Sequence, residues 1–209
     1  MIGLYGGSFD PVHIGHLRIA EDIREYFSLE KIIFIPAYHS PLKDPSKASP
    51  QDRLNMLKIS IEDNPYFDID DIEIKRKGKS YTIDTINIYR EKLGYYPFFI
   101  VGTDAFLTLD KWKNPEELIR NTNFIVVGRG KDNFETIVNF VKSKFPEMEI
   151  RDNNQLDSKK SGVIYFFSSR RIDISSTEIR SRIKTGKSIK YLVLPQIEKY
   201  ILNKKLYRG

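Results

Sequence analysis

Five short apolar runs, each rich in β-branched and aromatic residues, recur along the chain at residues 2–5, 32–35, 98–101, 124–127 and 163–167. Runs of this length and composition suit strands buried on both faces. Between them apolar residues return at helical spacing: Leu17, Ala20, Ile23 and Phe27, then Leu54, Leu57 and Ile61, then Ile86, Tyr89 and Leu93. Parallel strands can be joined only by long crossovers, so this alternation predicts a Rossmann-like, doubly wound α/β fold with a mostly parallel sheet. Ligands of such sheets bind in the loops that leave the carboxyl ends of the strands. The residues that carry chemistry are therefore expected there.

The 209 residues, 40% of them hydrophobic, are enough for one substantial core. A single domain spanning 1–209 is expected, with a C-terminal helical segment over about 175–204, divided by Gly186 and the Leu194-Pro195 break, packed on it. Residues 41–50, with Asp44-Pro45-Ser46 inside, have turn composition and read as a mobile loop. No apolar run approaches the roughly 18 residues of a membrane span, and Met1-Ile2-Gly3-Leu4-Tyr5 leads directly into glycines, so a cytoplasmic protein with no membrane partner is expected. The absence of cysteine excludes a disulfide framework, a thiolate nucleophile and thiolate metal sites. A net charge of +6 suits an anionic ligand. The densest basic run, Lys75-Arg76-Lys77-Gly78-Lys79, is of a kind more often found in solvated turns than in nucleic-acid footprints, so no nucleic-acid partner is expected.

One window stands out: Gly6-Gly7-Ser8-Phe9-Asp10-Pro11-Val12-His13-Ile14-Gly15-His16, directly after the first strand and at the start of a helical pattern. Glycines at a strand-to-helix turn let backbone approach a phosphate chain, and the helix start offers unpaired N–H groups and a positive dipole end. Histidines three apart would face one anion together. Each feature alone has an ordinary structural reading, but two of the chain's three histidines fall in this single turn. A metal reading of Asp10, His13 and His16 is open, although no clear further ligand completes it.

The second constellation is Ile174-Ser175-Ser176-Thr177-Glu178-Ile179-Arg180, after the last strand. Ser175 and Glu178 have capping-box spacing, which needs no function. A helix start with several hydroxyls and an arginine one turn in is equally a phosphate clamp.

Together these segments resemble the nucleotidyltransferases that share a G-x-F-D-P-x-H-x-G-H loop and an I-S-S-T-x-I-R segment. Within that superfamily the chain is most similar to the nicotinate-nucleotide adenylyltransferases, through Glu73 and Arg76 followed by Ser80-Tyr81-Thr82-Ile83-Asp84-Thr85, and through Gly102-Thr103-Asp104 with Trp112. Two departures occur. Ser40-Pro41-Leu42-Lys43 keeps the lysine of the family's P-P-H-K but lacks its histidine, and Tyr191-Leu192-Val193-Leu194-Pro195 carries one residue more than the common Y-L-V-P, which is expected to shift only a loop.

The resemblance implies transfer of the adenylyl group of ATP to nicotinate mononucleotide, with Mg²⁺ accompanying ATP and held by the triphosphate and water. It implies His13, His16, Lys43 and Arg180 as the catalytic cations and donors, with Gly6, Gly7, Ser8, Phe9, Asp10, Gly102, Asp104, Ser175, Ser176 and Thr177 completing the ATP site. For the nicotinate nucleotide it implies Ser8, Lys43, Tyr81, Thr82, Thr85, Asp104, Trp112 stacked on the pyridine, and Arg129. The ordinary readings beside these are a helix cap for Thr82 and a core or rim aromatic for Trp112.

Nicotinamide mononucleotide and phosphopantetheine are the alternative acceptors, and a basic nucleic-acid-binding module is the non-enzyme alternative, which leaves both phosphate motifs unexplained. A dehydrogenase would carry G-x-G-x-x-G after its first strand, whereas the glycines here fall at 3, 6 and 7. Gly186-Lys187-Ser188 ends like a P-loop, but Ser181 stands where the first glycine belongs.

Overall fold

The computed structural model describes residues 1–209 except Lys43, Arg129, Gly130 and Gly209, and except the side chains of Lys131, Asp132 and Asn133. In chain order the elements are β1 (Ile2–Gly7), α1 (Ile14–Tyr26), β2 (Lys31–Pro36), α2 (Pro50–Ile61), β3 (Phe67–Ile69), α3 (Ile72–Arg76), α4 (Thr82–Leu93), β4 (Phe98–Gly102), α5 (Thr103–Phe106), a 3₁₀ turn (Leu109–Lys111), α6 (Pro115–Asn121), β5 (Asn123–Gly128), α7 (Lys131–Lys144), β6 (Glu149–Arg151), β7 (Val163–Ser168), α8 (Ser176–Lys184) and α9 (Pro195–Asn203). The seven-stranded sheet has the order β3-β2-β1-β4-β5-β7-β6. The order runs outward in one direction from β1 to β3 and in the other from β4 onward, so it reverses between β1 and β4. All five runs singled out from composition are strands, and the doubly wound fold follows. Among the described residues no helix is long and apolar enough to cross a membrane.

The chain forms two compact units. The first comprises Met1–Gly6, Asp22–Ile32 and Tyr81–Arg171. Its strands pair in parallel, with Tyr5 opposite Ile100, Ile100 opposite Ile125, and Ile125 opposite Tyr165. Leu4, Phe98, Ile100, Phe124, Ile125, Val126, Ile164 and Tyr165 are buried, as the near-continuous apolar runs require. Buried Asn123 is satisfied locally: its side-chain amide donates to the Lys160 carbonyl at 2.7 Å and its oxygen accepts the Val163 amide at 3.0 Å. Helix α4 ends at Gly94, whose positive φ of 69° a side chain would oppose, and whose N–H closes on the Arg90 carbonyl.

The second unit comprises Gly7–Glu21, Ile33–Ser80 and Ile172–Gly209. Helix α2 begins at Ser49, whose side chain accepts the Asp52 amide, and Pro50 occupies its first turn. Its apolar face buries Leu54, Met56 and Leu57. Tyr200 of α9 donates its hydroxyl to Asp52 at 2.8 Å and accepts from Asn55 at 3.2 Å, which joins the last helix to α2. Strands β3 and β6, three residues each, and the short helices α3 and α5 were not visible as runs, because periodicity needs more residues than they contain.

Candidate functional site

Strand β1 ends in Gly6 and Gly7, and at both an added side chain would crowd an aromatic ring. A Cβ on Gly6 would lie 2.7 Å from the Phe99 ring, and one on Gly7 would lie 2.9 Å from the Phe9 ring. Phe9 is itself buried with φ at 48°, an unfavourable left-handed conformation for a bulky residue that its packing enforces. Its ring meets His16 edge-on at 5.2 Å between centroids. The residue that looks most like a breach of backbone rules thus orients a histidine.

Helix α1 starts on the His13 carbonyl, which accepts the amides of His16 and Leu17. In return His16 Nδ1 accepts the His13 amide at 3.2 Å, a reciprocal closure in the manner of a capping box. A neutral imidazole whose Nδ1 accepts carries its hydrogen on Nε2, so His16 offers Nε2–H as its donor. The two rings stack at 3.6 Å and 26°. His13 is only 7% exposed, and burial pushes its pKa down to about 4, so it is neutral near pH 7. Its buried Nδ1 has no hydrogen-bond partner among the described residues. The Ile14 amide donates to the Leu192 carbonyl at 3.1 Å, so the segment expected to be a mere loop shift bears on the start of α1.

Asp10 is 5% exposed and fully engaged. One carboxylate oxygen accepts the Lys47 amide at 2.7 Å; the other accepts the Ala48 amide at 3.1 Å and the Tyr207 hydroxyl at 2.8 Å. The far end of the expected mobile loop is therefore pinned. Asp10 is not a free metal ligand, and two face-stacked imidazoles do not converge their nitrogens on one ion. The residues present do not fit a metal centre at Asp10, His13 and His16.

The distant second motif arrives at the same loop. Ser175 caps α8 by accepting the Glu178 amide at 3.1 Å, as its spacing predicted. Ser176 donates to the Pro11 carbonyl at 2.9 Å. Arg180 donates to the Asp10 carbonyl at 2.7 Å and to Thr177 Oγ1 at 3.1 Å, which uses two of the five N–H donors a guanidinium carries.

Sequence reasoning missed Arg53. It is fully buried on α2, where it donates to the Ser8 carbonyl at 2.7 Å and the Tyr38 carbonyl at 3.0 Å. Burial pulls its guanidinium pKa down, and the negative charge of Asp10 opposes that fall. A signal existed: Arg53 stands in register with Leu57 and Ile61, on a face that otherwise faces the core. Tyr207 was missed too, because nothing local ties a residue near the chain end to Asp10.

The other expected site residues lie in the first unit, except Lys43 and Arg129, which are outside the described residues. Gly102 ends β4 with a negative φ, and a Cβ there would meet nothing within 4 Å, so neither conformation nor crowding requires glycine. Asp104 is exposed in the first turn of α5. Helix α4 starts from Tyr81 rather than Thr82, so Thr82 is not its cap. Thr85 is 1% exposed. Lys113 bonds Asp84 at 3.0 Å and lies over the Tyr81 ring at 4.6 Å. Trp112 is half-buried, with Nε1 donating to Thr108 Oγ1 at 3.1 Å and its ring edge-on to Phe99 at 6.2 Å.

A cytidylyltransferase-like family model matches residues 4–182. A probable nicotinate-nucleotide adenylyltransferase of Hydrogenobaculum sp. is 44% identical over 99% of this chain and 97% of its own length. Another, of Aquifex aeolicus, is 44% identical over 84% of this chain and 98% of its own length. The chain belongs to the nicotinate-nucleotide adenylyltransferase family. The family's fold is shared more widely: the nicotinic acid mononucleotide adenylyltransferase of Plasmodium falciparum complexed with NaAD matches with a TM-score of 0.75 at 22% identity, covering 99% of this chain and 96% of that one.

Proposed function

We propose that this chain transfers the adenylyl group of ATP to nicotinate mononucleotide, giving nicotinate adenine dinucleotide and pyrophosphate, a step of NAD biosynthesis. The observation that carries this reading is the meeting of two phosphate-type motifs 165 to 170 residues apart in sequence, through Ser176 on Pro11 and Arg180 on Asp10. Family membership supports the choice of acceptor.

The 5′-phosphate of the acceptor attacks the α-phosphorus of ATP and pyrophosphate leaves. A phosphate monoester has a second pKa of about 6, so it is largely ionised at neutral pH and needs no side-chain base. The protein's work is positioning and charge stabilisation. His16 Nε2–H donates to the α-phosphate. His13, neutral in the free protein, lies against the phosphate chain beside it. Arg180 keeps its hold on Asp10 while its remaining donors take the β- and γ-phosphates, with the hydroxyls and amides of Ser175, Ser176 and Thr177. Lys43 adds a further cation. ATP is taken as its Mg²⁺ complex, the ion held by phosphate oxygens and water.

In this reading the backbone of Gly6, Gly7, Ser8 and Phe9 borders the ATP phosphates, and Gly102 and Asp104 contact the nucleotides, the open space over Gly102 admitting a ligand close to backbone. Tyr81, Thr82, Thr85, Trp112 and Arg129 serve the nicotinate ring and its carboxylate. The deciding experiment is ATP-dependent pyrophosphate release with a panel of acceptors. Nicotinate mononucleotide is expected to be best, ahead of nicotinamide mononucleotide and phosphopantetheine. A better rate with phosphopantetheine overturns the acceptor, and no release with any acceptor overturns the enzyme reading.

A further inference from the structure

The last residues of the chain make a contact that the adenylyl-transfer reading does not use. After α9 the backbone turns back through Lys205 and Tyr207, with φ of 52° and 65°, left-handed conformations that L side chains rarely adopt. Such conformations persist where surrounding structure over-determines them. Here the turn delivers the Tyr207 hydroxyl to Asp10, 197 residues earlier, at 2.8 Å. The same carboxylate holds the amides of Lys47 and Ala48, and the carbonyl of the same residue holds Arg180. Arg53 fixes the loop from beneath through the Ser8 and Tyr38 carbonyls.

We propose that Tyr207 is a positioning residue for the phosphate site: its hydroxyl locks the Asp10 carboxylate in the rotamer that holds the Lys47 and Ala48 amides, on the same residue whose backbone carbonyl anchors Arg180. The inference rests on the adenylyltransferase reading for its kinetic consequence, and on geometry alone for its structural one. The ring is half-buried while its hydroxyl is desolvated against Asp10, and that burial holds the phenol far above its ordinary range, so the proton stays on Tyr207 as the donor. Without that donor the Asp10 carboxylate keeps only its two amide partners, and the loop that carries the Arg180 anchor is held less tightly to Lys47 and Ala48.

Tyr207→Phe removes one oxygen. It is expected to lower kcat/KM for ATP about tenfold, the size of a hydrogen bond to a charged group, while KM for nicotinate mononucleotide stays within about twofold. Amide hydrogen exchange at Lys47 and Ala48 should quicken by about tenfold, with protection along Asn123–Gly128 unchanged. A chain ending after Lys205 should behave like Tyr207→Phe. Tyr200→Phe is the control, since it removes the same kind of hydroxyl-to-carboxylate bond from the same terminal segment without touching Asp10. It should leave kcat/KM and both amides unaltered. The proposal is overturned if Tyr207→Phe or the shortened chain keeps wild-type kcat/KM and exchange, or if Tyr200→Phe produces an equal loss. If the wild-type protein releases no pyrophosphate, the adenylyltransferase reading fails, and exchange at Lys47 and Ala48 still decides whether the clamp exists.

Discussion

His13 should make the protein lose stability on mild acidification. Its imidazole is 7% exposed, and burial lowers its pKa from 6.5 to about 4. The folded state therefore keeps it neutral in a range where the unfolded chain protonates it. A depressed folded value gives a stability contribution present above pH 6.5, which is lost progressively as pH falls toward 4. The full contribution is about 3 kcal/mol, and the part already lost at pH 5 is about 2 kcal/mol. For a chain of this length that corresponds to a thermal midpoint lower by about 4–8 °C. The measurement is urea and thermal unfolding of wild type and His13→Asn at pH 7 and pH 5. Carboxylates elsewhere titrate in both proteins, so the difference between their pH slopes isolates residue 13. Parallel slopes would refute the argument, since they would mean that the imidazole is solvated or partnered in the folded protein.

Three further outcomes follow from the same geometry. His16→Ala and Arg180→Ala should each reduce turnover about 100-fold or more, with a stability loss of only about 1 kcal/mol from the helix-start and carbonyl bonds these side chains make, and an active His16→Ala protein would remove that residue from the mechanism. Asp10→Asn places an amide donor against the Lys47 or Ala48 amide and takes the counter-charge from buried Arg53, so a loss of about 3 kcal/mol in urea unfolding is expected; a change under about 1 kcal/mol would show the network to be slack. Trp112→Ala should raise KM for nicotinate mononucleotide by about severalfold to tenfold and leave KM for ATP nearly unchanged, whereas a large stability loss with both constants intact would make Trp112 structural.

The sequence by itself determined the architecture and the two motifs, because both are written in local patterns. Buried parallel strands must be apolar throughout, and crossover helices must carry a stripe, so the five runs and the intervening periodicities could be read without coordinates. The Ser175 cap was legible for the same reason, being a bond across three residues. What tertiary structure decided is the state of each group. Gly6 and Gly7 looked like phosphate-approach glycines, and the Phe99 and Phe9 rings that a Cβ would crowd at each position give a second, packing reason for glycine there. His13 and His16 looked like a pair facing an anion, but burial neutralises one and a backbone amide fixes the tautomer of the other. Asp10 looked like a candidate metal ligand, and its partners come from 37, 38 and 197 residues away. Desolvation and long-range hydrogen bonds depend on which segments the fold brings together, and no spacing within a single segment encodes them.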